Sequence, residues 1–231
     1  IAYNLYKFRS LYFRCKYSKN TTCNFKSSRL IMTHNKNIDM LLKDYIQEPE
    51  DAENNFALAL YYHIIGQTAA AISYYLRAAE RTDNDLLKYE CLIRGSICFD
   101  LQGTRNFTVK GFLLHALALC PKRPEAYYLM SKFYEKENKD GSWNEVYTIA
   151  SIGLQVAEVN PPPLRETIDY PGRYALLFQK AVSSWWCGLC EESKDLFLEL
   201  LYNYETNDDF INVSINNLKR MNVEVNYDQL S

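Results

Sequence analysis

Apolar residues recur at helical spacing from Ala52 to Asp85, where two amphipathic stretches flank Gly66. The sequence there is AENNFALALYYHIIGQTAAAISYYLRAAERTDND. Small residues at which two helices can approach closely alternate with aromatic residues that fill the groove beside them. The small positions are Ala59, Ala71 and Ala78, and the aromatic positions are Tyr62 and Tyr75. This pattern predicts two helices that a tight turn at Gly66 closes into a hairpin.

The same arrangement recurs further along the chain. Gly103 and Asn138 take the turn position at successive intervals of 37 and 35 residues, and Gly188 takes it 50 residues after Asn138. The matching small and aromatic positions are Ser96, Phe99 and Ala116, then Ser131, Tyr134 and Ala150, then Ala181, Ser193 and Phe197. One hairpin cannot bury its apolar face alone, so the copies are expected to stack.

This spacing of small, aromatic and turn residues resembles the tetratricopeptide repeat (TPR). The resemblance implies an all-α fold, a right-handed superhelix (α-solenoid) of about four TPR-like hairpins with a capping helix at each end. The expected hairpins span about 52–85, 86–121, 124–158 and 172–205, within a repeat domain of residues 36–221. The expected capping helices are Ile38 to Gln47 and Asp208 to Met221, and a polar tail follows at 222–231.

Proline residues interrupt the repeat between its third and fourth copies. Pro161, Pro162, Pro163 and Pro171 exclude regular helix, because proline lacks the backbone donor and clashes with the preceding turn. We therefore expect residues 159–171 to form an insertion loop over one face of the repeats.

Residues 1–35 are basic and aromatic, and they lack a helical period. Residues 1–38 hold eight Lys or Arg and no acid, although the whole chain has a net charge of -2. Basic residues interleaved with aromatic ones could contact nucleic acid or an anionic surface. The alternative is that residues 1–31 are upstream sequence or a fragment of a preceding domain, with Met32 as the natural start. Nucleic acid is the less favoured partner.

Two short motifs invite a chemical interpretation. Trp185-Trp-Cys-Gly-Leu-Cys190 resembles the W-C-G-x-C redox motif, which needs its first cysteine at a helix N-terminus after a β-strand. Here Tyr174 to Ser184 have helical period and Gly188 falls at a hairpin turn, which favours packing. Asp83-Asn84-Asp85 resembles the D-x-D of glycosyltransferases but follows a helix, so it is expected to cap the next helix, and so is Asn207-Asp-Asp209.

No catalytic set is evident in the sequence. The three His, at 34, 63 and 115, have no metal-ligand spacing with Cys, and phosphate-binding glycine loops and nucleophile elbows do not occur. We therefore predict no enzyme, no cofactor and no metal site. The seven irregularly spaced Cys favour reduced thiols, and no run approaches the ~18 apolar residues of a membrane span. A cytoplasmic protein is expected (host cytoplasm if viral).

A protein or peptide partner is predicted on the concave side, which the first helices of stacked hairpins line. Measured from each turn residue, the partner-binding positions are Phe56, Leu60, His63, Ile97, Asp100, Tyr128, Lys132, Glu135, Lys136, Trp185 and Trp186, with Ile64, Ile93, Phe178 and Val182 beside them. The alternative is that neighbouring helices or the insertion loop cover most of the apolar members.

The segment ALALCPKRPEAYYLMSKFYE (116–135) resembles helical-repeat modules that follow glycosyltransferase domains in marine bacteria, phages and large viruses. Tyr170-Pro-Gly-Arg-Tyr174 and Trp186-Cys-Gly-Leu-Cys-Glu-Glu-Ser193 resemble the closing repeat of that group. The resemblance implies an accessory module of a glycosyltransferase system, which presents an acceptor or positions the enzyme. It implies no catalytic residue here, because the chain lacks a nucleotide-sugar-binding half.

Overall fold

The computed structural model describes residues 38–137, 142–206 and 208–225, whose regular secondary structure is helical, without β-strands. All of them belong to one compact unit, Thr33–Ser231. The helices are α1 (Ile38–Gln47), α2 (Ala52–Ile64), α3 (Thr68–Glu80), α4 (Asp85–Gln102), α5 (Asn106–Leu119), α6 (Pro124–Glu137), α7 (Ser142–Val156), α8 (Arg173–Trp186), α9 (Cys190–Asn203) and α10 (Asp208–Arg220). The predictions for residues 1–35 and for most of the polar tail lie outside the described residues.

Consecutive helices pack against each other as hairpins. α2 packs on α3, α4 on α5, α6 on α7 and α8 on α9, while α1 lies against α2 and α10 against α9. The first helices of neighbouring hairpins also meet, α4 with α6 and α6 with α8. The predicted fold class, an α-solenoid of TPR-like hairpins, is confirmed.

Glycine makes three of the hairpin turns. Gly66, Gly103 and Gly188 have φ values of 78°, 77° and 81°. Residues with a Cβ rarely adopt this left-handed backbone conformation. Asn138, the fourth predicted turn residue, lies outside the described residues.

The small residues of the repeat lie where helices touch. Ala59, Ala71, Ala78, Ala116, Ala150 and Ala181 are fully buried, as are Ser131 and Ser193, and Ser96 is nearly so. Aromatic side chains fill the space around them, with Tyr75 and Phe197 each 1% exposed. The periodicity therefore identified the helix–helix contacts.

Side chains also fix where two helices begin. The Asp51 carboxylate accepts a hydrogen bond from the backbone N–H of Asn54 at 2.7 Å, at the start of α2. Asn84 accepts from the N–H groups of Leu86 and Leu87 at the start of α4, as predicted for the D-x-D-like motif. At α10 the helix begins at Asp208, and the predicted cap Asn207 lies outside the described residues.

Two mid-helix glycines are expected to respond oppositely to Ala. A Cβ at Gly153 in α7 would lie 2.8 Å from the Cβ of Tyr127, whereas a Cβ at Gly111 in α5 would meet nothing within 4 Å. Gly153→Ala should therefore destabilise the fold by about 1–3 kcal/mol through overpacking. Gly111→Ala should stabilise it by roughly 0.5–1 kcal/mol, because Ala is the better helix former. Urea unfolding of both variants tests this, and equal effects would contradict it.

Candidate functional site

The predicted partner-binding residues lie on the first helices α2, α4, α6 and α8, on a side here called the first-helix face. Its N-terminal half, at the beginnings of these helices, is closed. Six apolar members of the first-helix face are buried, namely Phe56, Leu60, Ile93, Tyr128, Phe178 and Val182, of which Leu60 and Val182 lie just past the midpoints of α2 and α8. Phe56, Leu60 and Tyr128 are therefore not free to contact a partner. This corrects the prediction for these three and favours the alternative that they are covered.

The insertion loop, residues 159–171, covers part of this half. The side chain of Glu90 binds the backbone of the loop. Glu90 is fully buried in α4. Its two carboxylate oxygens accept from the backbone N–H groups of Arg165 at 3.0 Å and Glu166 at 3.2 Å. Arg94, one turn later, donates to Glu90 at 2.9 Å. The carboxylate thus has a counter-ion and two loop donors, which is how a buried charge is tolerated.

Two arginines hold the same loop by its carbonyl groups. Arg94 donates from Nη2 to the carbonyl oxygen of Glu166 at 2.6 Å. Arg123 donates from Nη1 to the carbonyl oxygen of Pro162 at 2.7 Å. Both guanidinium groups are nearly buried, so these bonds form in a setting where water competes little.

Loop side chains complete the closure. Leu164 and Ile168 pack against the apolar cluster that contains Ile93. The ring of Tyr170 lies 5.6 Å from that of Tyr128. The loop also makes a more exposed contact, an ion pair of 2.5 Å between Arg165 and Glu53, whose side chain is 58% exposed.

His63 is directed towards the second helix of its own hairpin. Its Nδ1 lies 3.2 Å from the hydroxyl oxygen of Tyr75 in α3. Burial, assisted by the positive charge of Arg94, lowers the pKa of His63 to about 4. At neutral pH this imidazole is uncharged and acts as a hydrogen-bonded packing residue.

Acid is expected to destabilise the fold through His63. Its pKa in the folded protein lies below the unfolded value of 6.5, so the unfolded chain takes up the proton first. The stability from neutral His63 is present above the unfolded pKa and is lost as pH falls from there towards 4. Between about pH 7 and about pH 4.5 the wild type should lose on the order of 2 kcal/mol more than His63→Gln. Urea unfolding of both proteins across this range measures the difference, and parallel pH profiles would contradict the expectation.

Towards the C-terminal ends of these helices one set of residues remains accessible, and we call this set the open strip. Its members are Ile64, Ile97, Asp100, Leu101, Lys132, Glu135, Lys136 and Trp185, all partly or largely exposed. Leu101, 65% exposed, was missed by the sequence analysis. Its position four residues after Ile97, on the same side of α4, was the signal that could have found it.

Polar side chains link neighbouring helices across the open strip. Lys136 in α6 forms an ion pair of 2.8 Å with Asp100 in α4. Lys132 pairs with Glu135 at 2.5 Å, and Glu135 also accepts from the Gln179 amide of α8 at 3.2 Å. The pair of Lys136 with Asp100 is exposed and contributes little to stability, so a ligand can exchange it at small cost.

Trp186, another predicted partner-binding residue, lies at the end of α8 and is partly exposed. Its ring stacks on that of Trp143 in α7, with centroids 5.6 Å apart and planes 14° from parallel. Its contact is thus with a second helix. Beside it, Cys187 lies in a turn after a helix, and burial raises the pKa of its thiol, which is opposite to the change that a redox cysteine needs.

Among solved structures the chain is similar to the crystal structure of MamA, with 16% sequence identity and a TM-score of 0.54 over 71% of this chain and 84% of that chain. At this identity the likeness shows the fold alone, a TPR-like helical repeat. No protein-family model matches the chain, and no curated protein matches its sequence. No described helix has both the length and the apolar content of a membrane span.

Proposed function

We propose that this protein is a non-catalytic TPR-like scaffold that binds a segment of a partner protein along the open strip. The observation that carries the proposal is the division of the first-helix face. Its N-terminal half is closed, in part by the insertion loop, while the open strip presents apolar and charged groups to solvent.

The chemistry of the open strip changes along its length. The end formed by α2 and α4 is apolar, with Ile64 43% and Leu101 65% exposed. The middle carries the pairs of Asp100 with Lys136 and of Lys132 with Glu135. The end formed by α8 carries the half-buried indole of Trp185. A partner segment with an apolar end, central charges and a further apolar anchor fits this order, because buried anchors supply affinity and charges set register.

Selection of peptides from a displayed library on the whole protein tests the proposal. Peptides with a shared pattern should be enriched, and Trp185→Ala or Lys132→Glu should weaken their binding by roughly tenfold, the loss of one anchor or of one charge pair. Phe107→Ala removes a 94% exposed aromatic outside the open strip, and Lys194→Glu changes a charge on the second helix α9. These two matched variants should bind as the wild type does. Peptides that bind all four variants equally would refute the open strip as the binding site.

An accessory role beside a glycosyltransferase rests on the resemblance of residues 116–135. Arg123, Glu125 and Tyr127 of that segment serve packing here, because their polar groups bond within the repeats and to the insertion loop. Their presence therefore supports the repeat more directly than any activity. Co-purification of the protein with a glycosyltransferase encoded next to it, lost in Trp185→Ala, would support this role.

A further inference from the structure

The insertion loop lies on the first-helix face as a bound peptide would. From Leu164 to Pro171 its residues alternate between half-buried and exposed, so every second side chain faces the repeats. This alternation is typical of an extended peptide that is recognised by hydrogen bonds to its backbone and by contacts to every second side chain.

The groups that hold the loop are aimed at its main chain. Glu90 accepts from two backbone N–H groups of the loop, and Arg94 and Arg123 donate to three of its carbonyl oxygens. None of these bonds depends on which side chain the loop carries at that position. Arg94 also bonds to Glu90 within α4, and Arg123 bonds to Glu125, so partners outside the loop help to orient these side chains.

Side chains of the loop add selectivity at separate points. Leu164 and Ile168, which are four residues apart in the loop, pack against the apolar cluster that contains Tyr89 and Ile93. Arg165 reaches the exposed Glu53 on α2. Main-chain bonds for affinity and spaced side-chain contacts for selectivity are the division of labour in peptide-binding grooves.

We propose that the N-terminal half of the first-helix face is a second peptide-binding groove, which the chain fills with its own residues 160–170. A partner segment that fits it has the chemistry of PPPLRETI, with apolar residues four positions apart and an arginine after the first. Such a segment competes with the insertion loop for Glu90, Arg94 and Arg123. This groove is separate from the open strip, so its test does not depend on the function proposed there.

The test separates the loop from the groove. Residues 160–170 of the whole chain are replaced by a Gly-Ser linker of equal length, and a peptide of sequence NPPPLRETIDY, with blocked ends, is added in trans. Binding is measured by fluorescence anisotropy and helicity by circular dichroism. The peptide should bind the linker variant saturably. A Leu164→Ala peptide should bind about tenfold more weakly, which corresponds to the loss of one partly buried leucine contact.

Each outcome decides the proposal. A linker variant that keeps its helicity and binds the peptide, but not a scrambled peptide, supports it. A linker variant that loses helicity and regains it with the peptide also supports it. A helical linker variant that does not bind the peptide at about millimolar concentration overturns the proposal. A dissociation constant above that concentration is too weak for specific recognition. An unfolded variant that the peptide does not restore also overturns it, because the loop would then be part of the core and not a ligand.

Discussion

Glu90→Ala is expected to lower the free energy of unfolding by about 3–5 kcal/mol, the range for removing one partner of a buried ion pair. Glu90 is fully buried and Arg94 is 5% exposed, so the change leaves a guanidinium group in the core without its carboxylate. The N–H groups of Arg165 and Glu166 lose their acceptor at the same time. Urea unfolding followed by circular dichroism measures the loss.

Glu53→Ala is the matched control for Glu90→Ala. Glu53 also contacts the insertion loop, through Arg165, but its side chain is 58% exposed. Its removal should therefore cost less than about 1 kcal/mol. Trypsin cleavage after Arg165 should accelerate strongly in Glu90→Ala and only slightly in Glu53→Ala. Equal unfolding energies and equal cleavage rates for the two variants would show that Glu90 does not anchor the loop.

Local periodicity was sufficient to predict the repeat. The small residues and turn glycines lie within one hairpin, so their spacing of three, four or seven residues reports directly on which side of a helix they occupy. Ala71, Ala78 and Gly66 behave as that spacing indicates. The same is true of the cap at Asn84, which acts on residues two and three positions away.

The contacts between the insertion loop and the repeats could not be predicted from local periodicity, because they join distant parts of the chain. Glu90 and Arg94 have the spacing of an ordinary surface pair on a helix. They are buried by a loop 75 residues further along the chain. The sequence near Glu90 and the sequence of the loop contain no pattern that predicts this contact. The offset from the turn residue likewise gave no sign that Trp186 stacks on Trp143 of the adjacent second helix.

Arg123→Met is expected to have an effect of similar size at the junction of the second and third hairpins. Arg123 donates from Nε to Glu125 at 3.0 Å and forms a second, shorter bond to its other oxygen. Glu125 also accepts from the hydroxyl of Tyr89 at 3.1 Å. Without the arginine this carboxylate is left nearly buried and paired only with a neutral hydroxyl, at a cost of about 3–5 kcal/mol.

The double variant Arg123→Met/Glu125→Gln distinguishes the charge from the packing. The introduced glutamine side chain would be uncharged and could still accept from Tyr89, so its burial no longer requires a counter-ion. If the unpaired charge causes the loss, the double variant should recover at least about half of it, a non-additivity expected of residues in direct contact. A double variant as unstable as Arg123→Met would instead assign the loss to the missing bond to Pro162 and to the guanidinium group stacked 5.5 Å above the Tyr89 ring. Arg123 would then act mainly as a clamp on the insertion loop, and its change should open the groove as Glu90→Ala does.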